Sequence, residues 1–200
     1  MSEDAPRGLY EAYPASWRRK RRSAHIDIWA ASVTLDWLAA LKPGSVDILD
    51  VGCGAVWLTD ALTSFGPITG IDTALLHHPT IVRALARGEY AKDSALLPRY
   101  LTTGEPSATS RDGFSVALAL GEPSLPGDFA QFCQDMAAVM RAGGWIVWNP
   151  PTHHAFNQTN EWQTCLGAAF SVVDVAHLTT PFDREAKHES EAMIMLARRN

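Results

Sequence analysis

The chain has 200 residues, 46% of them hydrophobic and 20% charged, a globular composition long enough to bury one sizeable core. The polar start MSEDAPRGLY lacks the basic end and apolar run of a signal peptide, and no apolar stretch reaches the length of a membrane span, so a cytoplasmic protein is expected. Cys53, Cys133 and Cys165 are odd in number, far apart and without CxxC spacing, which argues against a disulfide framework and against a zinc site.

The formal net charge of -5 is uneven: up to Ser45 there are seven Lys and Arg against five Asp and Glu, and after it ten against seventeen. The basic excess is the block RRKRR, Arg18 to Arg22. Such a block binds nucleic acid, an anionic substrate or an acidic surface, or is simply a solvated helix face. No aromatic ladder or wider basic surface accompanies it, which argues against nucleic acid.

From Ser23 to Leu41 the residues Ile26, Trp29, Val33, Trp37 and Leu41 recur at steps of three and four, predicting a helix with that stripe inward, ended by Pro43-Gly44. Packing is the expected role of Trp37, and Trp29 is left between packing and a pocket wall. VDILDV then predicts a buried strand, Trp57 to Phe65 a helix, and PITGID a second strand. HPTIVRALARG predicts a helix, RYLTTGE a third strand and FSVALAL, Phe114 to Leu120, a fourth. A helix from about Gly127 to Arg141 ends in RAGG, and WIVWN is the fifth strand. EWQTCLGAAF predicts a helix, SVVDVAHL a sixth strand and EAMIMLARR a seventh. Apolar strands alternating with helices imply a mostly parallel, doubly wound sheet covered on both faces.

DVGCGAVWL follows the first strand, and a glycine-rich turn there lets the backbone approach a ligand at the carboxyl ends of the strands. Asp72, ending GID after the second strand, lies 18 positions beyond Gly54, where an acid suits ribose hydroxyls. Nicotinamide dinucleotides and S-adenosylmethionine both use this arrangement. A pyrophosphate needs an unobstructed helix N-terminus, and Val56 stands where the third small residue would be, which favours the adenosyl sulfonium.

The string ILDVGCGAVWL, GID at Asp72, TTGE at Gly104-Glu105, DGFSVALAL and MRAGGWIVW together resemble the class I S-adenosylmethionine-dependent methyltransferases, over roughly Ser45 to Arg199. The resemblance implies a Rossmann-like, seven-stranded, mostly parallel sheet with the last strand antiparallel, in agreement with the seven strands counted above. It implies that Asp50, Gly52, Cys53 and Gly54 cradle the methionine part of the cofactor S-adenosyl-L-methionine, that Asp72 binds the ribose, and that Glu105 lies near the adenine. Residues 46–200 then form the cofactor domain and residues 1–45 an N-terminal helical lid. Val56, in place of a third glycine, and Ser115, where the family often carries an aspartate before the fourth strand, depart from the pattern.

Methyl transfer is an in-line displacement, so positioning and exclusion of water matter most, and a base is needed only when the nucleophile must lose a proton. The carboxyl ends of strands four and five supply the candidates Glu122, His153 and His154. Each also has a bland reading as a solvated loop residue. His77 and His78 open a helix, His177 sits in a strand, and His25 starts the N-terminal helix. Adjacent histidines point apart, and no third ligand is placed, so no metal is expected. NPPT, Asn149 to Thr152, resembles a tetrapeptide of adenine and glutamine amino-methyltransferases, but there it follows the fourth strand.

The sequence thus points to a methyltransferase acting on the O or N of a small-molecule acceptor, with nucleic acid disfavoured, no membrane partner and self-association left open. Its alternatives are a regulatory protein that keeps the fold without turnover, and an enzyme that cyclises or cleaves S-adenosylmethionine.

Overall fold

A computed structural model describes residues 21–41, 46–53, 57–71, 99–101, 113–120, 129–149, 166–179 and 191–200. Helix α1 spans Arg21–Leu41, α2 spans Thr59–Thr63 and α3 spans Phe129–Val139. The strands are β1 Ile48–Val51, β2 Ile68–Ile71, β3 Arg99–Leu101, β4 Phe114–Ala119, β5 Met140–Trp148, β6 Phe170–Thr179 and β7 Glu191–Arg199.

These strands form one sheet in the order β3-β2-β1-β4-β5-β7-β6. The pairs β3-β2, β2-β1, β1-β4 and β4-β5 are parallel, whereas β7 is antiparallel to both β5 and β6. The antiparallel strand is therefore inserted between two others, and β6 forms the edge. Every residue of β4 is buried, as the central strand of a sheet covered on both faces must be.

Successive side chains of a strand point to opposite faces, and the core divides accordingly. One layer takes Ile48, Val116, Leu118, Val147, Ile194 and Leu196 from the sheet and packs them with α1 and α2. The other takes Leu49, Ala117, Ala119, Ile146, Trp148 and Met195 and packs them with Phe132, Cys133, Met136 and Val139 of α3. The α3 residues fall at the helical spacing that one buried face requires.

Helix α1 runs through a segment without glycine or proline; Trp29, Val33, Trp37 and Leu41 of the expected stripe pack against the core, but the most deeply buried line lies beside that stripe. Ile26, Trp29, Val33, Trp37 and Leu41 are only partly buried, while Ala30, Ala31, Thr34 and Leu38 are fully enclosed. At 100° per residue the buried line is rotated by roughly 90° from the tryptophan stripe. Small alanines let the helix backbone approach the sheet closely. Thr34 tolerates burial because its hydroxyl donates to the Ala30 carbonyl at 2.7 Å.

The segment RAGG also differs from expectation: α3 stops at Val139, and Met140 already pairs with Phe114 as strand. The register then shifts, so that Val116 pairs with Trp145. Gly143 adopts φ +74, a left-handed conformation, and Gly144 sits against the carbonyls of Phe114 and Ser115. The turn is thus a glycine-built entry to β5, and not the end of a helix.

Candidate functional site

In an open parallel sheet, ligands bind beyond the carboxyl ends of the strands, at the place where the strand order reverses. Here the chain winds from β1 through β2 to β3 on one side, and from β4 outward on the other. The switch point lies between β1 and β4, where Asp50 is in register with Leu118 and Leu49 with Ala117. Asp50 is 7% exposed, a carboxylate enclosed near the end of β1. Directly after the strand, Gly52 takes φ +73, and Cys53 is buried. A left-handed glycine is what carries the backbone off a strand end without a Cβ obstructing the approach of a ligand.

The opposite wall is formed by the ends of β4 and β5. Ala119 pairs with Trp148, and the Asn149 amide donates to the Ala119 carbonyl at 3.3 Å, which extends the β4-β5 contact to the rim. Trp145 to Trp148 therefore belong to the fifth strand, between β4 and β7, and NPPT follows strand five. This placement removes the geometrical basis of the likeness to adenine and glutamine amino-methyltransferases.

Of the sequence-predicted site residues, Asp50, Gly52 and Cys53 come together at the switch point. Gly54, Asp72, Glu105, Glu122, His153 and His154 lie outside the described residues, as do Val56, His77 and His78. His177 is exposed on β6 and His25 is exposed on α1. Among the described residues no group of three His, Cys, Asp or Glu could hold a metal ion, and no helix is long and apolar enough to cross a membrane.

Ser115, one of the two departures from the family pattern, is buried. It lies at the amino end of β4, where its amide donates to the Asp47 carbonyl at 2.9 Å. Val116 pairs with Ile48 and Leu118 with Asp50, so Ser115 is three residues, or about 10 Å, short of the Asp50 level. The missing aspartate bears on how the strand starts, away from the cradle at its other end.

Sequence reasoning missed Asp174. Its Oδ2 accepts a hydrogen bond from Trp37 Nε1 at 3.0 Å, tying α1 to the edge strand, and its Oδ1 accepts from the Val175 amide at 2.8 Å. No local pattern marks a strand aspartate as the partner of a tryptophan 137 positions away.

The strand order, the reversed β7 and the glycine turn at the switch point together decide the fold. The fold is that of the class I S-adenosylmethionine-dependent methyltransferases. A 1,6-didemethyltoxoflavin-N1-methyltransferase from Burkholderia thailandensis, solved with 1,6-didemethyltoxoflavin and S-adenosylhomocysteine bound, is similar at a TM-score of 0.63 and 17% identity, over 100% of this chain and 91% of that one. The N-methyltransferase NodS from Bradyrhizobium japonicum WM9 matches at a TM-score of 0.60 and 18% identity, over 92% of this chain and 97% of that one. The [4+2]-cyclase SpnF matches at 0.58 and 16%, over 82% and 80%. No family model and no curated protein matches the sequence. At these identities the methyltransferase fold is shared, and the acceptor is not specified by it.

Proposed function

We propose that this protein is an S-adenosylmethionine-dependent methyltransferase acting on the oxygen or nitrogen of a small-molecule acceptor. The observation that carries the reading is the pairing of a methyltransferase strand order with Asp50 and the left-handed Gly52 at its switch point. An enclosed carboxylate beside a glycine turn fits the ammonium and carboxylate ends of the methionine moiety, the ammonium by the charge of Asp50 and the carboxylate by the backbone amides of the turn. When bound, S-adenosylmethionine supplies an activated methyl group on a sulfonium.

In this reading Asp50, Gly52, Cys53 and Gly54 hold the methionine moiety, Asp72 the ribose, and Glu105 the adenine side. Glu122, His153 and His154 follow β4 and β5 in the chain, so they are the candidates to orient the acceptor and to accept its proton. The N-terminal segment, residues 1–45, serves as the lid over the acceptor, with α1 packed on the sheet as its base. The charge of -7 after Ser45, ten Lys and Arg against seventeen Asp and Glu, weighs against a nucleic-acid acceptor. The acceptor bound by the Burkholderia neighbour, 1,6-didemethyltoxoflavin, supports the small-molecule reading by likeness of fold.

Titration calorimetry with S-adenosylhomocysteine tests the core of the proposal. Saturable binding is expected, with Asp72→Ala weakening it by about 1–3 kcal/mol as a carboxylate's hydrogen bonds are lost. Absence of both heat and thermal shift at high ligand would sink it. A second reading, use of the same cofactor without methyl transfer, is favoured by one fact: a [4+2]-cyclase shares the fold. Incubation with S-adenosylmethionine alone separates a further variant, because release of methylthioadenosine without an acceptor points to cyclisation or cleavage.

A further inference from the structure

On the face of the sheet that packs with α1, the central strands β1, β4 and β5 set their side chains in rows. One row is Ile48, Val116 and Trp145, and the next toward the carboxyl ends is Asp50, Leu118 and Val147. Ile48, Val116, Leu118 and Val147 are buried in the α1 layer, and Trp145 packs against them. Two residues further along each strand β1 has turned away at Gly52, and the row that remains is Leu120 and Asn149. The Asn149 amide still donates to the Ala119 carbonyl at 3.3 Å, so the ladder reaches this level. Trp148 is buried in the α3 layer, which sets its successor Asn149 on the α1 side. In these rows Asp50 and Asn149 are the polar side chains among the described residues, and both lie toward the carboxyl ends of the strands.

The two are offset by two strands and by two residues along the strand, roughly 12 Å between Cα atoms. Asp50 serves the methionine moiety in the reading given above, and Asp72 follows β2, on the far side of β1 from β4. A cofactor held by these two acids extends from the β1 turn toward β2 and leaves the ends of β4 and β5 to the acceptor. Asn149 stands on that side and is partly exposed. Its neighbours in the row are apolar: Leu120 packs against the α1 layer, and the β5-β7 register, continued one step past Trp148 and Met195, brings in the fully buried Ile194. Pro150 and Pro151 come next and have no amide hydrogen, so the carboxamide is the donor that this strand end presents.

A carboxamide holds a donor and an acceptor side by side in one plane. Its complement is an N–H next to a C=O, met by two parallel hydrogen bonds, and apolar neighbours strengthen such bonds by keeping water out. We propose that Asn149 selects the acceptor, pairing edge to edge with the adjacent N–H and C=O of a planar lactam or imide ring in a slot flanked by Leu120 and Ile194. Asn149 is a specificity residue: it fixes which ring is held and in what orientation, and it transfers no proton. The proposal rests on the reading of the switch point as an S-adenosylmethionine site.

Saturation-transfer NMR on the full chain, with S-adenosylhomocysteine present, tests this with two small probes. One is 2-pyridone, whose ring places N–H beside C=O, and the other is benzamidine, whose amidinium offers two donors. The wild-type chain is expected to prefer 2-pyridone. Asn149→Leu, close in size, should bind 2-pyridone on the order of tenfold more weakly as the paired hydrogen bonds are lost. Asn149→Asp exchanges the donor for a second acceptor and should reverse the preference toward benzamidine. A side chain that only holds the local fold would not exchange one probe for the other. With S-adenosylhomocysteine shown by calorimetry to be bound, three results overturn the proposal alone: no binding of 2-pyridone, equal binding by the wild type and Asn149→Leu, or no reversal in Asn149→Asp. Failure of the wild-type chain to bind S-adenosylhomocysteine overturns the cofactor reading and this proposal with it.

Discussion

Three glycines around the entry to β5 are expected to rank by two separable effects, left-handed backbone and lack of room. Gly143 has φ +74, but a Cβ there would meet only the Arg198 side chain, nearest at 3.4 Å, which can move. Gly143→Ala should therefore cost about 1–2 kcal/mol, the left-handed penalty of an L residue. Gly144 has no such φ, yet its Cβ would come 2.9 Å from the Arg141 carbonyl oxygen, 3.1 Å from that of Ser115 and 3.2 Å from that of Phe114. All three are backbone, and the last two belong to the central strand, so Gly144→Ala should cost about 2–3 kcal/mol in overpacking. Gly113 combines both, with φ +80 and a Cβ 2.6 Å from the Arg141 amide nitrogen and 2.8 Å from the Met140 carbonyl carbon. Gly113→Ala should cost about 4 kcal/mol by adding the two effects. At about 2–4 °C per kcal/mol for a chain of this length, melting temperatures should fall by roughly 5, 8 and 12 °C. Thermal and urea denaturation with unchanged m-values measure this. Gly143→Asn is the control, because Asn tolerates the left-handed region and should recover part of the loss. If Gly143→Ala proved the most damaging, or Asn no better than Ala, the division into strain and room would be wrong.

Further outcomes concern the core and the cradle. Leu118 is fully enclosed in the central strand, and Leu118→Ala should destabilise by about 2–5 kcal/mol in a urea titration, whereas a loss below about 1 kcal/mol would show that the central layer is not packed there. Cys53 and Cys133 are both buried and neither is in a disulfide, but Cys53 follows the glycine turn and Cys133 lies on α3, packed with Leu49 and Trp148. S-adenosylhomocysteine should slow alkylation of Cys53 and leave Cys133 unaffected, as read by peptide mass spectrometry. Equal protection of the two would mean that the ligand acts on global stability and not at the turn.

The strands were legible because a strand buried on both faces must be apolar at every position, so it leaves a continuous run such as FSVALAL or WIVW that stands out in a chain with 20% charge. The glycine turn was legible for a similar reason: Gly52 after an apolar strand marks a backbone conformation that few other residues adopt, and the structure places it at φ +73. The inward face of α1 was legible only in part: Trp29, Val33, Trp37 and Leu41 do pack on the core, but the deepest line lies beside them. Hydrophobic periodicity weighs the bulky Trp29, Val33 and Trp37, while close packing selects Ala30, Ala31 and a Thr34 whose hydroxyl is satisfied within the helix.

Ser115 shows the same division at the level of function. As a letter it was only a departure from an aspartate that the family often carries, and the register sets it at the amino end of β4, three residues from the level of Asp50. Asp174 was invisible for the converse reason. Its role depends on a bulge that shifts every later side chain of β6 to the other face, and a bulge is set by pairing with β7, not by the local sequence. By itself the sequence determined the alternation of strands and helices, and with it a glycine turn at the end of the first strand, since these depend on local hydrophobicity and backbone freedom. Only the tertiary structure decided the insertion of β7 between β5 and β6, the face that α1 buries and the meeting of Trp37 with Asp174, because each depends on contacts between residues far apart in the chain.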